Sequence, residues 1–268
     1  MKRSAIVIVC NGEPFVIPQL CNIYNHVDEI IIAEGADSTF QKIIKSKRST
    51  DGTIESLKKF KKLYDIKNKI TIIHTNCNKN RMVEACNKIC TGDLIYQVDI
   101  DEFLTPETIE LAFKGLESHN IVQVPQRWYY KSFDLYMSGR NDHSINSAPG
   151  RFYKNKISKG LVISHIPYGG YVNPKGKFIA SSSLALPFKY YAYHFLAVFR
   201  FQMINKMMYY HMRDNVPIKK VNKKIKEFDS CIAEPGYKVK TYKSRTLYQE
   251  EKPFEVILPD GSIWPHRQ

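Results

Sequence analysis

The chain has 268 residues, of which 43% are hydrophobic and 25% charged, values ordinary for a globular protein that buries a substantial core. Its 40 Lys and Arg exceed its 26 Asp and Glu, and the net charge of +14 favours anionic partners such as nucleotides, phosphorylated glycans, nucleic acid or an anionic membrane face. The six cysteines form no CxxC pair, which disfavours a disulfide framework. No apolar run reaches the roughly 18 residues of a spanning helix. The first apolar stretch is too short for a signal peptide, so we expect a cytoplasmic protein, either free or in peripheral contact with a membrane.

Predicted strands and helices alternate through the first hundred residues. The predicted strands are Ala5–Cys10, Glu29–Glu34, Ile70–His74 and Leu94–Val98. The predicted helices run from Pro14 through Tyr24, from Thr53 through Tyr64, and from a cap at Asn80 through Ile89, with Gly92 closing the last. A polar insert, Asp37–Lys47, follows the second strand. This alternation predicts βαβ crossovers and a largely parallel sheet, with ligands outside the carboxyl ends of its strands.

An acidic triplet, Asp99, Asp101 and Glu102, stands where the fourth predicted strand ends. Because side chains alternate along a strand, Asp99 and Asp101 are expected on the same side. Paired carboxylates are hard oxygen ligands for Mg²⁺ or Mn²⁺, ions that bridge substrate phosphates. Asn11 and Glu34 fall at neighbouring strand ends. Neither a GxGxxG run nor a P-loop signature is present, so a metal ion bridging the diphosphate would replace these glycine-rich loops. The pattern therefore predicts a nucleotide-diphosphate substrate.

The second half of the chain is more aromatic and less periodic. A helix is predicted from Thr105-Pro106 through Leu116, and strands at Val122–Pro125, Arg151–Tyr153 and Leu161–His165. The stretches Arg127–Lys131 and Ser138–Gly150 are interpreted as acceptor-side loops.

Beyond Val216 an apolar helical stripe is surrounded by lysines, which form either a solvated face or a surface for an anionic acceptor or membrane. The predicted organisation is one domain at residues 1–215, with a nucleotide-sugar half at 1–104 and an acceptor half at 105–215. A basic helical extension at 216–268 is expected to pack on the same domain.

Several segments together carry a resemblance to a known family. They are Val9–Glu13, Ser49–Thr53, Arg81–Asn87 with Thr91–Asp93, Asp99–Glu102, and Tyr193–Phe195 with Lys206–Tyr210. They resemble the GT-A glycosyltransferases, particularly family 2-like enzymes, well over Ala5–Leu104 and loosely over Arg151–Met212. The resemblance implies an α/β fold of GT-A (Rossmann-like) type, with a mostly parallel central sheet flanked by helices and a helical C-terminal extension.

The resemblance also implies a function. A metal-dependent enzyme would move a sugar from a nucleotide-diphosphate sugar to a hydroxyl of a glycan, lipid-linked glycan or protein, with inversion. Asp101, Asp99 and His194 would hold Mn²⁺ or Mg²⁺, although Asp99 could instead reach the ribose and His165 competes with His194. The remaining implied nucleotide-sugar contacts are Cys10, Asn11, Glu13, Glu34 and Arg81. The run Glu34-Gly35-Ala36 departs from the common pattern, and the insert could remodel the nucleotide end.

The catalytic base is left open by the sequence. An inverting transfer needs a carboxylate that takes the acceptor proton, and Asp134 and Asp142 lie in the predicted acceptor region. Asp142 has flexible neighbours suited to a site loop. Trp128, Tyr129 and Tyr130 could stack on a sugar or belong to the core.

Two alternatives compete with a glycosyltransferase. A nucleotidyltransferase of related fold usually has a glycine-rich basic first loop, which Asn11-Gly12-Glu13-Pro14 lacks. A nucleic-acid-binding protein would use the +14 charge, but the basic residues are scattered rather than gathered with aromatics, so no nucleic acid partner is expected.

Overall fold

The computed structural model describes residues 1–138, 148–155, 162–163, 170–172, 175, 177–239 and 245–265. The helices in these ranges are α1 Val16–Tyr24, α2 Ser38–Ile44, α3 Thr53–Leu63, α4 Lys79–Ile89, α5 Pro106–Gly115, α6 Arg200–Asp214 and α7 Ile218–Ser230. The first nine strands are β1 Arg3–Val9, β2 Glu29–Glu34, β3 Ile70–His74, β4 Leu94–Asp99, β5 Glu102–Phe103, β6 Ile121–Gln123, β7 Gln126–Tyr130, β8 Leu135–Ser138 and β9 Gly150–Lys154. The others are β10 Val162–Ile163, β11 Gly170–Val172, β12 Phe178–Ala180, β13 Ser183–Ala185, β14 Ala192–Ala197, β15 Lys238–Val239, β16 Arg245–Gln249, β17 Val256–Ile257 and β18 Ile263–Trp264.

The central sheet has seven strands in the order β13-β6-β9-β4-β1-β2-β3. Strands β4, β1, β2 and β3 are mutually parallel, as the βαβ pattern predicts, whereas β9 runs antiparallel to β4 and β6. Side chains of β1 alternate between two buried clusters, one on each face of the sheet, so the strand is apolar throughout. The α/β class and the mostly parallel sheet are confirmed.

The two caps of helix α4 differ from the prediction. Helix α4 is capped by Asn78, whose side chain accepts from the backbone N–H of Arg81, rather than by Asn80. The helix ends at Ile89, as predicted, but Cys90 rather than Gly92 caps it. Asn78 is the N-terminal cap because its backbone is extended while the next residues are already helical.

The polar insert holds a helix that its sequence did not predict. Asp37 caps α2, and its Oδ1 accepts from the N–H groups of Thr39 and Phe40 at 2.9 and 2.8 Å. None of the residues of α2 is fully buried. The helix therefore lacks the buried apolar stripe by which amphipathic helices are recognised.

A second sheet of six strands has the order β15-β16-β8-β7-β14-β5. The segment interpreted as the loop Arg127–Lys131 is largely strand β7, and Tyr129 and Tyr130 are fully buried in it. That interpretation was wrong because aromatic residues suit a pleated, buried surface as well as a sugar-binding loop. Strand β14 lies between β7 and β5 and carries His194.

The C-terminal residues share the core with the rest of the chain. Val221 and Phe228 of α7 pack in the same cluster as Tyr130, and Trp264 stacks on Phe103 at a centroid separation of 5.0 Å. Among the described residues of the predicted helical extension, only Ile218–Ser230 is helical, and β15 and β16 continue the second sheet. The boundary at residue 215 stays a prediction. In the part of the chain described here, no helix combines the length and apolar character needed to cross a membrane.

Candidate active site

A pocket of about 510 Å³ opens at the carboxyl ends of β1, β2 and β4. One wall is made by residues that follow these strands, including Asn11, Gly35 and Asp101. The opposite wall is α6, from Phe201 to Arg213. This is the edge of a parallel sheet where ligands are expected.

The loop after β1 is fastened to the segment Ser49–Thr53. The N–H groups of Asn11, Gly12 and Glu13 donate to side-chain oxygens of that segment at 3.0, 2.7 and 3.0 Å. Asn11 Oδ1 accepts in return from Thr50 N–H at 2.8 Å. The late Ser-x-Asp-Gly-Thr run thus forms the support of the first pocket loop.

Glu34 anchors the start of the segment Ser49–Thr53. It is fully buried, and its carboxylate accepts from Ser49 N–H at 2.8 Å and from Arg48 Nε at 2.6 Å, with His74 Nδ1 at 3.1 Å. Burial raises the pKa of Glu34, but the hydrogen bonds from Ser49 and Arg48 outweigh it and leave the pKa below its ordinary value. A nucleoside contact was expected of this residue, and its carboxylate is instead occupied by protein donors.

Gly35 lies where the chain turns into the pocket wall. Its φ is +148°, and a Cβ there would stand 1.8 Å from the carbonyl oxygen of Thr75. Only glycine allows this approach of the two backbones. This requirement explains the departure Glu34-Gly35-Ala36 from the common acidic run.

The acidic triplet is held by one buried arginine, Arg151 of β9. Its guanidinium donates to Asp99 Oδ2 at 2.7 Å and to both oxygens of Glu102 at 2.8 and 2.5 Å. Because β4 and β9 are paired, this cation lies directly beside the end of β4. Arg151 therefore pairs with two of the three acids, offsets part of their negative charge and fixes the orientation of Asp99.

Asp101 and His194 are brought together by the pairing of β5 with β14. His194 lies opposite Glu102 in the register, and Phe195 N–H donates to the Asp101 carbonyl at 2.9 Å. The His194 Nε2 atom is 3.5 Å from Asp101 Oδ2. Burial raises the pKa of Asp101, but His194 and Lys206 outweigh it and bring the pKa to about 2, so the carboxylate is ionised at neutral pH.

The pair fits a divalent cation as two of its ligands. The described side chains provide no cluster of three His, Cys, Asp or Glu, so the other ligands would be phosphate and water oxygens, as Mg²⁺ commonly has them. His194 Nδ1 is buried without a hydrogen-bond partner among the described atoms, and Glu102 Oε1 lies 3.7 Å away. A proton on Nδ1, facing that carboxylate, would leave Nε2 as the metal-binding nitrogen.

The structure brings most of the predicted site residues to one pocket. The predicted residues that line it are Cys10, Asn11, Glu13, Asp99, Asp101 and His194. Glu34, Arg81 and Asp134 are not among its lining residues. Arg81 is exposed on α4, and Asp134 Oδ2 accepts from Gln249 Nε2 at 3.1 Å. Asp142 and His165 lie outside the described residues.

Two pocket residues received no role from the sequence. Arg151 begins an ordinary-looking strand, and nothing local marks it as the partner of the acidic triplet. Lys206 of α6 is partly buried near Asp101, and burial lowers its pKa while the carboxylates of Asp101, Glu102 and Asp99 oppose that shift. The roles of both residues depend on contacts with residues far away in the chain, which the spacing of the sequence does not reveal.

Comparison with known proteins places the chain among glycosyltransferases. The model of the family "Glycosyl transferase family 2" matches residues 4–173, more than half of the chain. No curated protein is significantly similar to it.

Solved structures with a similar fold include S. aureus TarS, residues 1–349, at 15% identity and a TM-score of 0.46, covering 85% of this chain and 70% of that fragment. The mannosyltransferase PcManGT from Pyrobaculum calidifontis, in complex with GDP-Man and Mn²⁺, has 19% identity and a TM-score of 0.38, covering 47% of this chain and 36% of PcManGT. Because these likenesses are distant, the assignment rests on the family model. The chain belongs to glycosyl transferase family 2, and its mixed sheet with flanking helices is the GT-A fold of those enzymes.

Proposed function

We propose that the protein transfers a sugar from a nucleotide-diphosphate sugar to a hydroxyl group of an acceptor, with Mn²⁺ or Mg²⁺ as cofactor. The observation that carries this proposal is the pair of Asp101 and His194. An ionised carboxylate and a ring nitrogen lie 3.5 Å apart in a pocket at the carboxyl edge of a parallel sheet.

Asp101 and His194 are the residues that would hold the cation. When bound, a divalent cation offsets the charge that develops on the leaving nucleoside diphosphate. Lys206 adds a positive charge beside Asp101 and suits the same diphosphate. Asp99, oriented by Arg151, is the candidate for the ribose, and the backbone of Cys10–Glu13 forms the adjoining wall.

The transfer to the acceptor needs a catalytic base. Inversion requires in-line attack with a carboxylate near the acceptor hydroxyl. Asp134 accepts a hydrogen bond from Gln249 and does not line the pocket, and Asp142 lies outside the described residues. Asp142 therefore stays the proposed base. The proposed acceptor is a glycan, a lipid-linked glycan or a protein.

Donor binding provides the first test. Thermal unfolding is measured with a panel of nucleotide sugars, each with Mn²⁺ and with a chelator. We expect one donor to raise the midpoint only when the ion is present, and turnover to release a nucleoside diphosphate. Release of pyrophosphate would identify a nucleotidyltransferase instead, and a flat panel would contradict the proposal.

Asp101→Asn provides the second test. The change keeps the shape of the side chain but removes the charge, so we expect turnover to fall at least about a hundredfold with an unchanged unfolding midpoint. Asp93→Asn, at the other end of the same β4 region and exposed, is the matched control and is expected to keep its turnover. Near-normal turnover of Asp101→Asn would refute the metal assignment.

A further inference from the structure

The insert helix α2 and the second half of α6 meet at one end of the pocket. We name the four side chains that meet there the α2–α6 seam: Asp37, Phe40, Tyr209 and Arg213, all of which line the pocket. Strand β2, which leads into the seam, stands three positions from β9 in the sheet, or about 14 Å. The seam is therefore at the opposite end of the pocket from Arg151.

The seam is held by directional contacts. The Tyr209 hydroxyl donates to Asp37 Oδ2 at 2.7 Å, while Asp37 Oδ1 caps α2. The rings of Phe40 and Tyr209 meet edge to face, with centroids 6.1 Å apart and an interplanar angle of 68°. The Arg213 guanidinium lies 4.9 Å from the Tyr209 ring centre. One carboxylate thus begins the insert helix and ties it to α6.

Helix α6 arranges different chemistry along the length of the pocket. Phe201 is at its start, Lys206 faces the acids in its middle, and Tyr209 with Arg213 follows at the seam. At 1.5 Å per residue, Lys206 and Arg213 are about 10 Å apart along the helix axis. A ligand whose diphosphate lies between Asp101 and Lys206 can extend its next group to the seam.

The group expected to recognise the nucleoside is not available for that purpose. Glu34 is fully buried, and its carboxylate accepts hydrogen bonds from Ser49 and Arg48. At the β2 end of the pocket, the seam supplies aromatic rings together with a carboxylate and a hydroxyl. A carboxylate has about four acceptor sites, so Asp37 keeps capacity for a ring N–H of a base.

We infer that the α2–α6 seam is the nucleobase compartment of the pocket and determines which nucleoside diphosphate is bound. The inference rests on the proposed function, because it takes the donor to be a nucleotide-diphosphate sugar. A planar base stacks on one of the two mutually inclined rings and presents its edge to Asp37 and Tyr209. The insert Asp37–Lys47, which supplies Asp37 and Phe40 to the seam, then sets donor choice.

The test measures binding of UDP, GDP, ADP, CDP and dTDP to the full chain by titration calorimetry, with Mn²⁺ present. We expect one diphosphate to bind at least tenfold more tightly than the others. Phe40→Ala is expected to weaken the binding of that diphosphate by about fivefold or more, because the loss of base–aromatic stacking reduces affinity by roughly that factor. Binding of inorganic pyrophosphate is expected to stay within twofold. Phe40→Leu carries the same test should Phe40→Ala fail to fold.

Tyr209→Phe isolates the hydroxyl, because the ring remains. We expect it to reduce the preference among the five diphosphates at least threefold. Met212→Ala is the matched control, since Met212 is on the same helix, is 41% exposed and does not line the pocket. Wild-type affinities and preference in both Phe40 variants and in Tyr209→Phe would overturn the inference alone. Failure of the wild type to bind any of the five would instead contradict the proposed function.

Discussion

Three carboxylates lie within four consecutive residues of this chain, and Arg151 is what makes their burial tolerable. Asp99 and Glu102 share its guanidinium, whose side chain is only 7% exposed, and Asp101 is left to face His194. The neighbouring acids raise the pKa of Arg151 above its ordinary value in spite of its burial. One side chain thus separates the acids by role: Asp99 and Glu102 are held by Arg151, and Asp101 faces His194.

Arg151→Met tests this residue-scale account through stability. Removing the cation leaves two buried carboxylates uncompensated, so we expect the free energy of unfolding at pH 7 to fall by about 3 kcal/mol or more. The deficit should shrink near pH 4.5, because the pKa values of the two acids rise without the cation and protonation then relieves their repulsion. Urea unfolding of the wild type and the variant at both pH values measures this loss in the free energy of unfolding.

Arg200→Met is the control for that experiment. Arg200 pairs with Asp229 on the surface, and we expect its removal to leave the free energy of unfolding close to the wild-type value at both pH values. An Arg151→Met deficit that is the same at both pH values would mean that lost packing, and not charge, explains it.

At the scale of elements, the pocket is assembled by connections between segments far apart in the chain. Glu34 at the end of β2 fixes Arg48 and Ser49, and the following segment holds the loop after β1. Strand β5 is only two residues long, yet its pairing with β14 places His194 beside Asp101. Short elements at strand ends therefore decide the geometry of the site.

Glu34→Gln tests the first of these connections. The folded-state pKa of Glu34 is lower than its ordinary value, so its stabilisation is complete above about pH 4.3 and is lost as the pH falls through the folded-state pKa. We expect the variant to be less stable than the wild type by about 2 kcal/mol at pH 7, and this deficit to shrink as the pH falls through the folded-state pKa of Glu34. Chemical unfolding across this range measures the difference.

Glu84→Gln serves as the comparison, because Glu84 forms an exposed pair with Lys88 on α4. It is expected to change stability by less than about 0.5 kcal/mol at every pH. A Glu34→Gln difference that grows as the pH falls would have the wrong sign for this explanation.

At the scale of the whole molecule, the excess of positive charge is concentrated in part on α7. Lys219, Lys220, Lys223 and Lys226 are exposed, and none forms an ion pair with a described acidic side chain. Ile218 beside them is 46% exposed. Val221 and Phe228 anchor the opposite face in the core, so the lysine face points outward. The sequence analysis expects a protein either free or in peripheral contact with a membrane, and an outward lysine face is the surface that an anionic membrane would attract.

Changing the four α7 lysines to Gln tests that contact by sedimentation with vesicles containing an anionic phospholipid. A lysine near such a surface contributes about 1 kcal/mol, so we expect at least a tenfold loss of binding, and high salt should abolish the wild-type interaction. The control changes Lys58, Lys59, Lys62 and Lys67, an equal number of exposed lysines on and after α3. An equal loss in both variants would assign binding to net charge alone.

The sequence by itself determined the parallel part of the central sheet and the position of the acidic triplet, because buried strands and helix caps leave local patterns. Strands β2 and β3 have the predicted bounds, and Asp99, Asp101 and His194 all line the pocket. Only the tertiary structure decided that Arg151 holds Asp99, that Glu34 supports a loop, and that α2 reaches α6. These contacts join residues from 15 to 172 positions apart. Their free energy depends on the folded geometry. Such pairs therefore produce no periodic pattern in the sequence from which they could be predicted.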